Sequence, residues 1–575
     1  MRFIIGTILF WITILGIENF IKKKTKIDEI FLLPMTFTLL GIVMFISGIL
    51  NIMKASSLLI LIVGAGYFCY SFVKEKNKKD KLITFFKNPT NIIIIIMFGY
   101  ITILGYNMHL MDYDNFSHWG LIVKNMFITN HLPNFENTAI LFKGYQPGSA
   151  CFIYFYGLLS GKGEGTMIIA QNYLIFSYLI PLMTLSKNKN KLINCLIILC
   201  FYIFIMTISI KFNSLLVDGL IAVMTIFSLM IINKYEKNLK KAFLYSLPVS
   251  VFLLLVKNTG LILALINCLY IFVLGIKNHR FKESCKYIIY TLIVLGVVLL
   301  LWQQHVKLAY GYMALNSKHS LDSSNIINSL RKLGIHNMLL FIKMYIKHFF
   351  SFKNNISNIY IVVINLLLVV MSFFKKEKKE VYKLMAIVDI IYVGYYSVLG
   401  AMYILSMPWE EAKIFASYER YMTTINIIII GMIFIYLFKN SEKFKFYNTL
   451  VISISIMLLI PIYFYQNNFK SLLGKDNYIG SDEEKWDKII TKIPVEREGK
   501  YYIFAPTTYN AYGFFNYLSI YKLNNNNIEI IKKHSEIKEN DTKYIIMYED
   551  NEEFRKKLEK QKYVKVNYLV YKKLN

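Results

Sequence analysis

The chain has 575 residues, 56% of them hydrophobic, with a mean hydropathy of +0.45 and a formal net charge of +29. Soluble domains carry about 45–50% apolar residues. Repeated apolar runs of about 18 residues or more point instead to a polytopic helical membrane protein. The positive charge does not indicate nucleic acid, because the lysines cluster in short loops between apolar runs, the pattern that orients a membrane protein.

The N-terminal region, 1–90, reads as three spans: 3–20, followed by Lys22, Lys23, Lys24 and Lys26; 30–51; and 57–73, followed by Lys74 to Lys81. No small-residue cleavage site follows the first run, so it is expected to be a retained span and not a signal peptide. The six cysteines have no ligand spacing, which gives neither a disulfide framework nor a zinc site. A fourth span, 91–111, then leaves the lysine-rich side, which the charge rule places inside, so Asp112 emerges outside. Segment 148–160 is apolar but too short to cross a core about 30 Å thick. An outer interfacial helix there keeps every later loop consistent with the charge rule. Further spans follow at 166–186, 192–210, 214–233, 242–256, 260–276, 286–304, 356–374, 381–404, 421–438 and 446–465, fourteen in all. Segment 336–352 reads as an amphipathic surface helix. The membrane core is thus 91–466, with an outer loop at 112–165. The tail, 467–575, is richer in charge. Its β-rich runs 501–504, 544–548 and 563–571, the polar helix 552–560 and a turn at 524–527 predict a small α/β domain outside the membrane.

Ionisable groups beside apolar segments are costly to hold near lipid and so suggest function. On the outer side they are Asp112, Asp114, His118, Lys143, Asp218, Lys257 and Arg420. Each also has a plainer explanation. Asp112 or Asp114 can cap a helix, His118 and Trp119 can be an interfacial pair, and Lys143 can snorkel. Arg420 can anchor the membrane edge, Asp218 can pair with a lysine, and Glu410 and Glu411 read as solvated. If the groups meet, a carboxylate can take a proton from an acceptor hydroxyl while Lys and Arg hold a departing phosphate.

That arrangement resembles the GT-C superfamily of membrane glycosyltransferases, which includes the protein O-mannosyltransferases and the bacterial aminoarabinose transferases. The resemblance rests on Asp112-Tyr113-Asp114-Asn115-Phe116-Ser117-His118-Trp119, the helix 121–129, Lys143-Gly144-Tyr145-Gln146-Pro147, the helix 152–159, Lys257-Asn258-Thr259-Gly260 and Glu419-Arg420-Tyr421. It implies Asp114 as base, with Asp112 and His118 beside it. It implies Lys257, Arg420 and Lys143 as ligands of the donor phosphate, supported by Asp218, Tyr145, Gln146 and Tyr421. Two features depart from the family pattern: three extra spans precede the acidic loop, and Asn115 stands where a second acid is often found. No metal ligand is therefore assigned, and a divalent metal stays an open possibility.

The expected fold is a GT-C-like helical membrane protein with an extracytoplasmic α/β domain. The expected activity is transfer of a sugar from a polyprenyl-phosphate donor to a cell-surface glycan, lipid or teichoic acid on the outer face of a bacterial membrane. The alternatives are a lipid-linked glycan flippase or transporter, a glycan polymerase or ligase, and a scaffold whose tail binds a partner. Expected partners are the donor, the acceptor and the lipid bilayer, and no nucleic acid.

Overall fold

The computed structural model describes residues 1–134, 139–185, 191–311, 323–351, 356–374, 378–405, 407, 409–491, 499–508, 510, 513–537, 544–561, 563–567 and 569–573, with the side chains of 323–333 and 567 left aside. The expected loops at 187–190, 312–322 and 375–377, and Pro408, lie outside the described residues. Among the described residues, thirteen helices are long and apolar enough to cross a membrane. The fourteenth expected span is the helix Asp218–Lys234, whose 17 residues start at Asp218 and not at 214. A helix of that length spans about 25 Å. It packs against Glu164–Leu185, Leu239–Val256 and Tyr418–Lys439 at the centre of the bundle.

Lysine-bearing turns meet at one end of that bundle. Lys234 pairs with Asp28 at 2.7 Å, and Glu236 pairs with Lys439 at 3.1 Å and Lys277 at 3.6 Å. Asp218 sits at the other end of the same helix. There the fourth span stops at Tyr106 instead of running to 111. The reason is local. The His109 amide donates to Asp476 Oδ2 at 3.1 Å and the Leu110 amide to Glu164 Oε2 at 2.9 Å, so side-chain carboxylates take amides that a longer helix would use.

The short helix Gly148–Ser160 corrects an expectation. It does not lie on the surface: eleven of its residues are buried, against the helices Arg2–Lys24, Leu32–Ile49 and Glu164–Leu185. Its run Cys151-Phe152-Ile153-Tyr154-Phe155-Tyr156 is apolar on every side, and such a helix is stable only when enclosed. Segment 336–352 belongs to a longer helix, Ser323–Phe349, kinked at Gly334. One of its faces shows Leu339 and Ile346, while Phe341 and Tyr345 are buried.

The C-terminal part builds a five-stranded sheet from β1 (Tyr501–Phe504), β2 (Ile528–Ile531), β3 (Tyr544–Met547), β4 (Tyr563–Asn567) and β5 (Val570–Lys573). The order is β2-β1-β3-β5-β4, with β1 parallel to β2 and β3, and β5 antiparallel to β3 and β4. The expected single run 563–571 is therefore a hairpin. Helices Asp482–Ile490, Phe514–Leu523 and Glu552–Lys560 accompany the sheet. One apolar core continues from the helix bundle into this domain.

Candidate functional site

Asp218 opens its helix with a side chain only 2% exposed, a costly place for a carboxylate without cations beside it. Two cations reach it. Lys257 Nζ donates to Asp218 Oδ1 at 2.5 Å, and Arg420 Nε lies 3.5 Å from Asp218 Oδ2. Arg420 also donates through Nη1 to Asp114 Oδ2. Asp114, Arg420, Asp218 and Lys257 thus form one chain of alternating charge. Tyr421 lies beneath it, its ring centroid 5.1 Å from Lys257 Nζ and 5.5 Å from the Arg420 guanidinium.

Local sequence places each member. Lys257 is an extended residue in the tight turn between helices Leu239–Val256 and Gly260–Lys277, closed by the Gly260 amide on the Lys257 carbonyl at 2.8 Å. A Cβ on Gly260 would lie 2.0 Å from the Leu253 carbonyl oxygen, so the turn admits only glycine at that contact. Arg420 occupies the first turn of Tyr418–Lys439. The turn that delivers it holds Phe415 and Ser417 at positive φ, 51° and 61°, conformations that cost non-glycine residues about 1–2 kcal/mol each. Asp114 precedes a π-helical turn, Asn115–Trp119, a distortion often found at functional positions. Asn115 is fully buried and accepts the Leu215 amide at 2.9 Å, which ties this turn to the approach of Asp218.

Of the residues singled out in the sequence, Asp114, Asp218, Lys257, Arg420 and Tyr421 come together. Tyr145 is near: burial pushes its phenol above the ordinary value, and the charges of Arg420 and Asp114 act on it. Gln146 donates to Asn258, next to Lys257. The other three are held elsewhere. Asp112 pairs with Lys211 at 2.7 Å. Lys143 Nζ stands over the Tyr310 ring at 5.0 Å. His118 is buried against Trp119 and Tyr145, each ring 4.5 Å away, with neither ring nitrogen hydrogen-bonded; burial pulls its imidazole down to about 3. Glu419 turns away to accept the Ser357 amide at 3.1 Å.

The neighbourhood also holds Tyr113 and Glu411, both named in the sequence analysis, and Tyr517, which is not. Tyr113 meets Tyr517 of the C-terminal domain edge to face, their ring centroids 5.0 Å apart. Glu411 is close enough for its charge to act on both Tyr113 and Tyr145. Tyr113 carried a signal, since it lies between two aspartates, whereas Tyr517 had none. Among the described residues, no set of three or more His, Cys, Asp or Glu side chains converges to hold a metal. Asp114 and Asp218 already face Arg420 and Lys257, and a divalent cation placed between them would be repelled by both, so this cluster does not fit one. An open apolar cleft of about 670 Å³ between Leu459 and Gln466 includes none of these charged groups.

Chemically the cluster offers a carboxylate that can exchange its cationic partner and two cations that can receive an anion. No protein-family model matches the chain, and no curated protein and no solved structure matches it.

Proposed function

We propose that this protein is a GT-C-like membrane glycosyltransferase that takes a sugar from a polyprenyl-phosphate donor and passes it to an acceptor hydroxyl on the outer face of the membrane. The observation that supports this reading is Arg420 standing between Asp114 and Asp218 with Lys257 on the second carboxylate. The lysine-bearing turns at the far end of the bundle would face the cytoplasm by the charge rule. The C-terminal domain would then be extracytoplasmic, and Asp114 would open to the outside.

The charge accounting suits the transfer. The donor is a phosphodiester with one negative charge. Asp114 takes the proton of the acceptor hydroxyl. The acceptor oxygen bonds to the anomeric carbon, and the bond from that carbon to the phosphate oxygen breaks. The bonding pair leaves with the polyprenyl phosphate, which now carries a second negative charge. Asp114 thus loses its charge as the phosphate gains one. Arg420 can follow the charge from the carboxylate to the phosphate, while Lys257 stabilises the same oxygens. Asp218 is a positioning residue that keeps both cations aimed and charged.

The direct test incubates the purified full chain with polyprenyl-phosphate sugars and measures release of the lipid phosphate. Asp114→Asn is expected to abolish release while the protein still inserts and folds. Undiminished release would refute Asp114 as the base. Arg420→Ala is expected to weaken binding of farnesyl phosphate about tenfold or more, because a charge-assisted contact to phosphate is worth about 1.5–3 kcal/mol. Unchanged affinity would remove Arg420 from the phosphate site.

A further inference from the structure

The helix Lys78–Lys87 buries none of its ten residues. At 3.6 residues per turn, Leu82, Ile83, Phe85 and Phe86 fall within an arc of about 160° around it, and Asp80, Lys81, Thr84 and Lys87 fill the rest. Lys78 and Lys79 share the apolar arc in the first turn, where their long stems can pass apolar surface and hold the ammonium groups beyond it. The four apolar side chains are between 43% and 55% exposed. So many large apolar groups within five residues make a patch of the kind that marks an interaction surface.

The position of the helix points to what covers this face. It joins Met53–Lys74 to Pro89–Tyr106, two helices long and apolar enough to cross a membrane. The first buries only Met53, Ser57 and Gly64, and the second only Thr90, Phe98, Ile101 and Gly105, so both turn most of their surface outward, where lipid would lie. Local contacts hold the connecting helix at their ends. Lys81 pairs with Glu75, Lys78 Nζ stands over the Phe72 ring at 4.5 Å, and Asn91 Nδ2 donates to the Phe85 carbonyl at 3.1 Å. This is the lysine-bearing end of the bundle. Asn19 donates to Ser71 at 3.2 Å, which brings the end of Met53–Lys74 beside the end of Arg2–Lys24 with Lys22, Lys23 and Lys24. Among the described residues, no carboxylate pairs with Lys78, Lys79 or Lys87. A second copy of the chain would bring the same unpaired lysines and meet them as like charges. A basic helix with an aromatic apolar face suits a leaflet of anionic lipid, which takes both parts at once.

We propose that Lys78–Lys87 is a lipid-docking helix: Leu82, Ile83, Phe85 and Phe86 enter the bilayer surface, and Lys78, Lys79 and Lys87 bind anionic phospholipid headgroups. It rests on the membrane reading and not on the transferase reading. The test follows backbone hydrogen exchange of the full chain, one copy per nanodisc, in phosphatidylcholine alone and in phosphatidylcholine mixed with phosphatidylglycerol. Exchange over Lys78–Lys87 is expected to be roughly tenfold slower in the anionic discs, since each lysine at an anionic surface is worth roughly fivefold in binding. Lys78→Gln, Lys79→Gln and Lys87→Gln together keep helix propensity and are expected to remove that difference. Added salt is expected to shrink it. Phe85→Ser with Phe86→Ser is expected to speed exchange in both kinds of disc. Wild-type exchange over Asp218–Lys234 would show that the bundle of each variant stays folded.

Equal wild-type exchange in the two lipids would overturn the headgroup site, as would a difference that survives the three glutamines. Exchange unchanged by the two serines would overturn it too, because the apolar face would then touch nothing. Protection that appears only with two copies per disc would give the face to a second copy instead.

Discussion

Asp218 and His118 are both buried and ionisable, and the protein treats them in opposite ways. Asp218 keeps two cations beside it, and removing one partner from a buried charge set costs about 3–5 kcal/mol. Lys257→Met is therefore expected to lower the thermal unfolding midpoint in detergent, and Asp218→Asn with Lys257→Met is expected to cost less than the two single changes summed. His118 has no ion partner and stays neutral, its imidazole pulled down by burial to about 3 from an ordinary value of 6.5. The sign follows directly. The unfolded chain binds a proton near pH 6.5 and the folded chain does not until about pH 3, so stability falls as pH drops through that window. The slope is about 1.4 kcal/mol per pH unit, or about 2 kcal/mol between pH 6.5 and pH 5. His118→Phe is expected to lose that much less stability on acidification, read as a smaller shift of the unfolding midpoint between pH 7.5 and pH 5. An identical shift in both proteins would refute the burial account. Both residues could be singled out from the sequence, Asp218 because it interrupts an apolar run and His118 because it stands in the polar segment Asp112–Trp119. Their partners could not, because Lys257 and Arg420 are 39 and more than 200 positions from Asp218 and local pattern carries no such distance.

At the scale of elements, the apolar runs were legible because lipid and a packed interior both demand apolar side chains over a whole helix length. Boundaries were not. The run 563–571 looks like one strand, yet it turns back at Leu569, which takes φ of 62° without the glycine that would have announced a turn. The short helix 148–160 was legible as too short to cross, but its enclosure was not, since an interfacial and a buried helix can share one composition. The Lys257 turn makes the element-level prediction. Gly260→Val would force a Cβ to within 2.0 Å of the Leu253 carbonyl oxygen, with two further methyl groups beyond it. The expected cost is about 1–3 kcal/mol, the range for overpacking, together with weaker farnesyl phosphate binding as Lys257 moves off Asp218. Wild-type affinity in a destabilised Gly260→Val protein would separate the turn from the site.

At the scale of the molecule, the C-terminal domain is fixed by reciprocal lysines. Lys522 of that domain, 4% exposed, pairs with Asp487 at 2.7 Å and reaches Glu164 of the bundle at 3.5 Å. Lys124 of the bundle side donates to the Tyr521 carbonyl at 2.6 Å and the Lys522 carbonyl at 3.2 Å. Lys522→Ala leaves two carboxylates without their shared cation and is expected to speed hydrogen exchange over Phe514–Leu523, with exchange in Asp218–Lys234 unchanged. Equal acceleration in both helices would mean that the two parts unfold as one. The sequence by itself determined a chain of many long apolar helices, a charged tail with strands, and a short roster of ionisable groups, because composition and period are local and each helix obeys its own environment. Only the tertiary structure decided that Asp114 leans on Arg420, that Asp112 and Lys143 belong to other partners, and that Tyr517 stands beside Tyr113. Those facts depend on which helices and strands become neighbours, and that is set by long-range packing and charge pairing between segments that share no local pattern.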